Sequence, residues 1–179
     1  MSDLQAKYSI EKAQIDDRVI HLEGEVNAQM ASFITQTLLH LNKISPEPIN
    51  MYINSPGGSV LDGLAIIDVM NDIDAPVYTC VKGLAASMGA AILSQGTKRF
   101  ALPNATIMLH QVSSGTQGNI QDMEVSMAFT KALNDKLMGM IATSCGKTVK
   151  KLKKDTTRDS WLFADAALAY GIIDEIFSE

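Results

Sequence analysis

The stretch "CVKGLAASMGAAIL", residues 80–93, joins an apolar strand to an apolar helix and decides how the chain folds. Small residues fill the junction, and Ser87 is the one hydroxyl within it. A serine at a helix start is commonly an N-cap. It can also be a nucleophile, because a helix N-terminus presents free N–H groups and the positive end of a dipole to an oxyanion. The local pattern leaves both roles open, since "AASMG" is not the Gly-x-Ser-x-Gly turn of the α/β-hydrolases.

The same order of strand, turn and helix occurs three times along the chain. The apolar patterns predict strands at 18–24, 49–54 and 77–81, and each strand is followed by an amphipathic helix. This order predicts an α/β fold with a largely parallel sheet. Parallel strands joined by right-handed crossovers end at one edge of the sheet, so we expect Gly58 and Ser87 to approach each other there.

The helix starts and faces are predicted from caps and spacing. Asn27 is expected to cap the first of these helices, and Ser59 with Asp62 is expected to form a capping box for the second. The apolar positions expected on the two buried faces are Met30, Phe33, Ile34, Leu38 and Leu41, followed by Leu64, Ile67 and Met70.

Beyond the third unit, residues 99–111 are predicted to form two short strands around Pro103 and Asn104. The glycine-rich piece "SSGTQG" then leads to a long amphipathic helix at 120–144, with apolar positions that include Met127. A last helix is expected at 164–170, with a glycine after it as its C-terminal stop.

Composition restricts the class of protein. A chain of 179 residues fits one domain, and its hydrophobic fraction of 46% predicts that much of the surface meets another subunit. The net charge of −5 argues against a nucleic-acid partner or an anionic membrane, and the basic run at 147–154 is expected to be a solvated helix face.

Cys80 and Cys145 lack metal or redox spacing and suit a reducing compartment. The sequence shows no signal-peptide pattern and no apolar run of bilayer length. We therefore expect a cytoplasmic protein without a membrane partner, a resident cofactor or a metal.

A catalytic serine needs a base and an oxyanion hole. His110 ends the apolar run "TIMLH" and precedes the glycine-rich loop, so it is better placed than His21 or His40. The backbone N–H groups of Gly58 and Met88 could supply two donors to an oxyanion.

A base also needs a carboxylate to orient it. Asp159 precedes an apolar segment in "TTRDSWLF", where a carboxylate could be partly buried. Spacing alone does not choose Asp159 over Asp155 or Asp174.

The chain resembles the Clp protease family of self-compartmentalised serine peptidases. The blocks that carry the resemblance occur in the family's order and extend from about residue 18 to 176. They are "RVIHLEGEV", "MYINSPGGSV", "GLAASMGA", "KRFALPNATIMLHQ" and "DTTRDSWLFADAALAYGIIDEI". The resemblance implies a crotonase-like α/β fold over residues 18–179, preceded by a short N-terminal segment, 1–17. The helix at 120–144 would be the family's protruding handle.

The resemblance also implies the residues of the site. Ser87 matches the family's nucleophile, His110 its general base and Asp159 its orienting acid, which selects Asp159 among the three carboxylates. Gly58 and Met88 match the backbone donors of the oxyanion hole.

The resemblance further implies a homo-oligomer of two stacked seven-membered rings that cleaves unfolded proteins and short peptides. The stretch 113–118, with Gly115 and Gly118, matches the segment that lines the substrate. An AAA+ unfoldase would be the partner and would use the ATP, while this subunit itself needs no cofactor.

Three departures from the family's pattern bear on these expectations. Val112 stands where the family usually has proline after the His-Gln pair. Asn50 stands where the family often has an aromatic residue in its partner-docking pocket. The N-terminus also lacks the family's usual pore-loop segment, and both this departure and Asn50 concern docking to the unfoldase.

Two alternatives belong to other classes. A crotonase-type acyl-CoA enzyme would share the fold and the paired N–H groups, but it would not need serine, histidine and aspartate in these blocks. A non-catalytic partner subunit would commonly have lost a catalytic residue, and none is lost here. A serine–lysine dyad through Lys82 or Lys98 is a further variant, found in membrane-linked relatives.

Overall fold

A computed structural model describes residues 3–177, and within them the chain forms seven helices and seven strands around one sheet. The helices are α1 Asp3–Asp16, α2 Ala28–Ile44, α3 Val60–Asp72, α4 Met88–Ser94, α5 Ile120–Ser144, α6 Val149–Asp155 and α7 Ala164–Tyr170. The strands are β1 Val19–Val26, β2 Ile49–Gly58, β3 Val77–Ala86, β4 Lys98–Ala101, β5 Thr106–Leu109, β6 Ser160–Phe163 and β7 Glu175–Ile176.

The sheet is largely parallel, which confirms the predicted class. Its main path is β1-β2-β3-β4-β7, with every neighbouring pair parallel, and the pairing of β6 with β5 is antiparallel. Helices cover this sheet and bury the apolar side chains of the core.

Strand β3 has two different neighbours along one of its sides. Its first half, Tyr78–Val81, pairs with β4, and its last residues, Leu84–Ala86, pair in parallel with β5. The end of β5 therefore lies beside the end of β3. This arrangement brings the residues that follow both strands to one edge of the sheet.

Strands β2 and β3 are longer than the sequence patterns predicted. The expected ends at Asn54 and Val81 were wrong, because both strands continue to Gly58 and Ala86. Parallel partners on the neighbouring strands supply hydrogen bonds there, so the glycines in these stretches do not end the strands. Gly24 is also not a strand end: it lies at a register shift in β1, with φ of 88°.

The caps at Asn27 and Ser59 and most of the predicted core positions are confirmed. The capping box is not, because Ser59 N donates to Val26 O at 2.8 Å rather than to the Asp62 side chain. Asn27 Oδ1 accepts from Met30 N at 2.9 Å, and Ser59 Oγ accepts from Asp62 N at 3.3 Å. Phe33 was expected on the buried face of α2 but is 41% exposed, because the face that meets the sheet is centred on Ile34 and Leu38.

Helix α5 has the predicted bounds but only its last turns are buried. Leu137, Met138, Ile141 and Ala142 pack into the core. The first turns project from the body, and Met127, one of the predicted apolar positions, is 59% exposed. No other element of residues 3–177 covers those turns, so this helix protrudes as the handle was expected to do.

The N-terminal segment, the two cysteines and the helix lengths complete the description of the fold. Within the N-terminal segment 1–17, residues 3–16 form α1, and Ile15 packs against the core. Cys80 and Cys145 are both buried as free thiols, and burial raises the pKa of each to about 11. In the part of the chain that the structure describes, no helix has the length and apolar character needed to cross a membrane.

Candidate active site

Ser87 lies at a strained turn between β3 and α4. Its backbone has φ 54° and ψ −119°, a region that residues with a side chain seldom adopt. The turn is held because Ser87 N donates to Met108 O of β5 at 2.9 Å and Ala91 N donates to Ser87 O at 3.1 Å. Within residues 3–177 the Ser87 hydroxyl makes no capping bond to α4, so the N-cap hypothesis is wrong for this side chain.

The Ser87 hydroxyl contacts His110 instead. His110 Nε2 lies 2.7 Å from Ser87 Oγ, which is a normal hydrogen-bond length. The contact follows from topology, since Ala86 pairs with Met108, and Ser87, one residue later, and His110, two residues later, emerge at the same edge. When Nδ1 carries the proton, Nε2 accepts from the hydroxyl, as a base must.

Asp159 reaches the same histidine from the opposite side. The antiparallel register pairs Leu109 with Ser160, so His110 and Asp159 are the next residues outward on their two strands. His110 Nδ1 lies 3.7 Å from Asp159 Oδ1, beyond hydrogen-bond length. The Asp159 side chain is 57% exposed, against 24% for that of His110.

The other two candidate carboxylates are engaged elsewhere. Asp155 pairs with Lys151 and accepts from Tyr170 Oη at 2.9 Å, and the Lys151 hydrogen bond is the main cause that lowers its pKa. Asp174 pairs with Arg99. Of the three alternatives, the structure brings only Asp159 to His110.

Strand β2 ends at Gly57 and Gly58, and the chain turns there toward α3 directly beside Ser87. A Cβ placed on Gly57, where φ is 94°, would lie 2.7 Å from Ser87 Cβ and 2.9 Å from Met88 N. Only a residue without a side chain allows this approach. Ser55 is fully buried, and its Oγ accepts from Gly57 N at 3.1 Å, which fixes the turn.

Met88 contributes its backbone to the site and its side chain to the core. The side chain is 2% exposed and packs so closely over α3 that a Cβ on Gly63 would lie 2.3 Å from Met88 Cγ. Gly58 and Met88 line the same cavity as Ser87 and His110. The four residues predicted from this edge of the sheet are thus brought together.

The wall of this cavity is largely apolar, and the sequence analysis did not anticipate the residues that form it. Leu137, Met138 and Ile141 of α5 line the cavity together with Val60 of α3. The three α5 residues lie 50 to 54 positions after Ser87 in the chain, so only packing reveals their place in the cavity wall.

The segment 113–118 leaves the site along the surface. Ser113 lines the cavity, whereas Gly115 and Gly118 are exposed and lie outside its lining. A Cβ on Gly115 would meet nothing within 4 Å. The role of these glycines in lining a substrate stays a prediction.

The other two histidines lie away from the site. His21 stacks on Tyr52 with ring centroids 5.7 Å apart, and His40 is exposed on α2. Lys82, one of the two alternative bases, pairs with Glu23 at 3.3 Å. Within residues 3–177, no group of three or more His, Cys, Asp or Glu side chains is arranged to hold a metal ion.

The sequence matches the family model described as Clp protease over residues 2–179. Similar relatives, each called ATP-dependent Clp protease proteolytic subunit, come from Streptococcus pyogenes serotype M1, serotype M5 (strain Manfredo) and serotype M49 (strain NZ131). Each is 45% identical over 177 residues, which covers 96% of this chain and 90% of the relative. The chain therefore belongs to the Clp protease family of serine peptidases.

Proposed function

We propose that Ser87, His110 and Asp159 are the catalytic triad of this serine endopeptidase. The observation that carries the proposal is the 2.7 Å contact between His110 Nε2 and Ser87 Oγ at a strained strand-to-helix turn. A nucleophile and a base within hydrogen-bond reach are the minimum that acyl transfer requires.

The chemistry follows from these positions. His110 Nε2 takes the hydroxyl proton as Ser87 Oγ attacks the peptide carbonyl carbon, and the carbonyl oxygen becomes an oxyanion held by the N–H groups of Gly58 and Met88. His110 then gives the proton to the leaving nitrogen, and the C–N bond breaks to leave an acyl-enzyme. Water then attacks the acyl-enzyme in the same way, with His110 taking its proton, and the carboxylic acid product leaves Ser87.

Asp159 orients the base in this scheme. A carboxylate beside Nδ1–H favours the tautomer that leaves Nε2 free to accept a proton, and it stabilises the imidazolium that forms. A small shortening of the 3.7 Å separation would turn this contact into a hydrogen bond.

The substrate is proposed to be an extended peptide. The apolar cavity lined by Leu137, Met138 and Ile141 suits an apolar side chain next to the scissile bond. The stretch that contains Gly115 and Gly118 could pair with the peptide backbone as an added strand.

We also propose that the active form is a homo-oligomer of two stacked seven-membered rings in the cytoplasm, served by an AAA+ unfoldase. The relatives are named as proteolytic subunits of an ATP-dependent protease. Four apolar side chains on the protruding part of α5 are between 53% and 72% exposed, which is typical of a surface that meets another subunit. They are Ile120, Val125, Met127 and Phe129. ATP would be used by the unfoldase, and this subunit would need no cofactor.

Covalent labelling tests the triad. The unmodified protein should react with a fluorophosphonate probe and cleave a short fluorogenic peptide, and Ser87→Ala should do neither. Ser32→Ala removes an exposed hydroxyl on α2 and should leave both signals intact. Labelling of the Ser87→Ala protein would refute the assignment of the nucleophile.

Native mass tests the assembly. Light scattering of the full-length protein should give about fourteen times the protomer mass, with cleavage of short peptides but not of folded proteins. A monomer with full peptidase activity would contradict the ring proposal while leaving the triad in place.

A further inference from the structure

The backbone after His110 is held by side chains outside the sheet. Strand β5 ends at Leu109, so the ladder no longer holds the chain from His110 onward. Two residues later, Val112 N donates to Asn134 Oδ1 on α5 at 3.0 Å. Between them, Gln111 Nε2 reaches Lys153 O on α6 at 3.4 Å, a longer and weaker contact.

Asn134 is well placed to hold this segment firmly. It lies one turn before Leu137 and Met138, which are 5% and 2% exposed and anchor α5 in the core. Lys153 Nζ pairs with Asp135 at 2.5 Å and ties α5 to α6 at the same level. That hydrogen bond is the main cause that lowers the Asp135 pKa, with a smaller contribution from the Asn134 amide.

The bond also accounts for the departure at Val112. Proline, the usual family residue at this position, has no N–H and fixes its own φ angle. Valine has an N–H to donate and a φ angle that no ring restricts. Val112 is partly buried against the core, so its N–H benefits from a protein partner. The Asn134 oxygen supplies that partner.

We propose that Asn134 is a positioning residue for the catalytic base. By fixing Val112, it limits the backbone freedom of His110 and keeps Nε2 within 2.7 Å of Ser87 Oγ. This inference rests on the proposed triad. Displacements of less than 1 Å between reacting groups are enough to slow a reaction, so the bond should appear in the rate.

The test measures kcat and KM for a short peptide and the rate at which a fluorophosphonate labels Ser87. Asn134→Leu keeps the side-chain shape and removes the acceptor. We expect kcat and the labelling rate to fall about tenfold, with KM changed less than twofold. Asn134→Asp keeps an acceptor oxygen at the same place and should restore most of the rate.

Two further variants separate positioning from general destabilisation. Asn42→Leu is the matched control, because Asn42 Oδ1 also accepts a backbone hydrogen bond, from Ala75 N at 2.9 Å, far from the site. It should lower thermal stability while kcat stays within about twofold of normal. Val112→Pro removes the donor, so Asn134→Leu added to it should cause no further loss of rate.

The following outcomes decide the proposal, provided that each variant has the same native mass as the unmodified protein. A kcat for Asn134→Leu within twofold of normal overturns it, and so does a further fivefold loss in the Val112→Pro background. A raised KM with unchanged labelling would also overturn it, because Asn134 would then act on the substrate segment. If Asn134→Leu does not assemble, Asn134→Ala takes its place. Failure of the triad itself would appear separately, as labelling of Ser87→Ala.

Discussion

The two sides of His110 are built differently. On the serine side, Ser87 is held by backbone bonds to β5 and α4, and its hydroxyl lies 2.7 Å from the imidazole. On the aspartate side, Asp159 is 57% exposed, precedes a short strand at the sheet margin and lies 3.7 Å away. The core thus fixes the proposed nucleophile and base in the single chain, whereas the proposed orienting acid is more exposed and lies beyond hydrogen-bond length. This difference indicates that the acid side is the part of the site that assembly could adjust.

The largest expected effect comes from removing the imidazole of His110, which faces both Ser87 and Asp159. His110→Ala should lower kcat/KM by on the order of 10⁴-fold or more, because the base is lost for both half-reactions. Steady-state cleavage of a fluorogenic peptide measures this loss. His40→Ala, a change at an exposed histidine of α2, should leave the rate within twofold. Equal losses in the two variants would remove His110 from the mechanism.

The second largest effect is expected when a methyl group is added at Gly57, which packs against Ser87. Gly57→Ala would place a Cβ 2.8 Å from Ala86 O and 2.9 Å from Met88 N, at a positive φ that alanine disfavours. We expect a loss of about 10²- to 10³-fold in kcat, similar to the loss of one oxyanion donor. Gly139→Ala in α5 is the control, since its Cβ would meet nothing within 4 Å. Native mass should be measured for both, and an active Gly57→Ala protein would show that the turn tolerates displacement.

A smaller effect on kcat is expected when the Asp159 carboxylate is replaced. Asp159→Asn removes a charge that is exposed to solvent and therefore partly screened, so kcat should fall about 10²-fold, less than for a buried orienting carboxylate. The same peptide assay measures it in the assembled protein. A loss as large as that of His110→Ala would mean that assembly closes the 3.7 Å gap and makes the two sides equivalent.

The smallest effect concerns stability away from the site, where Arg99 joins the ends of α5 and α7. Arg99 pairs with Asp174 and donates to Ser144 O at 2.8 Å and Gly171 O at 3.0 Å, which fixes the ends of α5 and α7. Partial burial alone would raise the Asp174 pKa, but the hydrogen bonds and charge of Arg99 lower it below its ordinary value.

A lowered pKa in the folded state means that the Arg99–Asp174 pair stabilises the fold above the ordinary aspartate pKa of about 3.9 and loses this effect as the pH falls below it. Asp174→Asn should lower Tm by about 1–3 °C at pH 7, since the pair is partly exposed. The difference from the unmodified protein should shrink as the pH falls below about 4. Thermal unfolding at a series of pH values measures it, and a difference that stays constant with pH would contradict the assignment.

Local sequence patterns predicted the parts of the fold that depend on neighbours in the chain. The caps at Asn27 and Ser59 and the bounds of α5 were correct, because a capping oxygen and a helical repeat act over three or four residues. The strand ends at Asn54 and Val81 were wrong, because partners on other strands decide how far a strand continues. The residues of the site were predicted in part from edge geometry and, for Asp159, only through the family resemblance.

The sequence by itself determined that the chain is α/β, that Ser87 follows a strand and opens a helix, and that His110 ends a strand. Only the tertiary structure decided that the serine hydroxyl faces His110 rather than capping α4, and that Asp159 rather than Asp155 or Asp174 meets the base. It alone placed Asn134 beside Val112. The physical reason is the register of β5 between β3 and β6, which brings Ser87, His110 and Asp159 to one edge of the sheet. In the chain, His110 lies more than 20 positions from Ser87 and more than 40 from Asp159. The hydrogen bonds between strands that join them are not encoded by any local pattern.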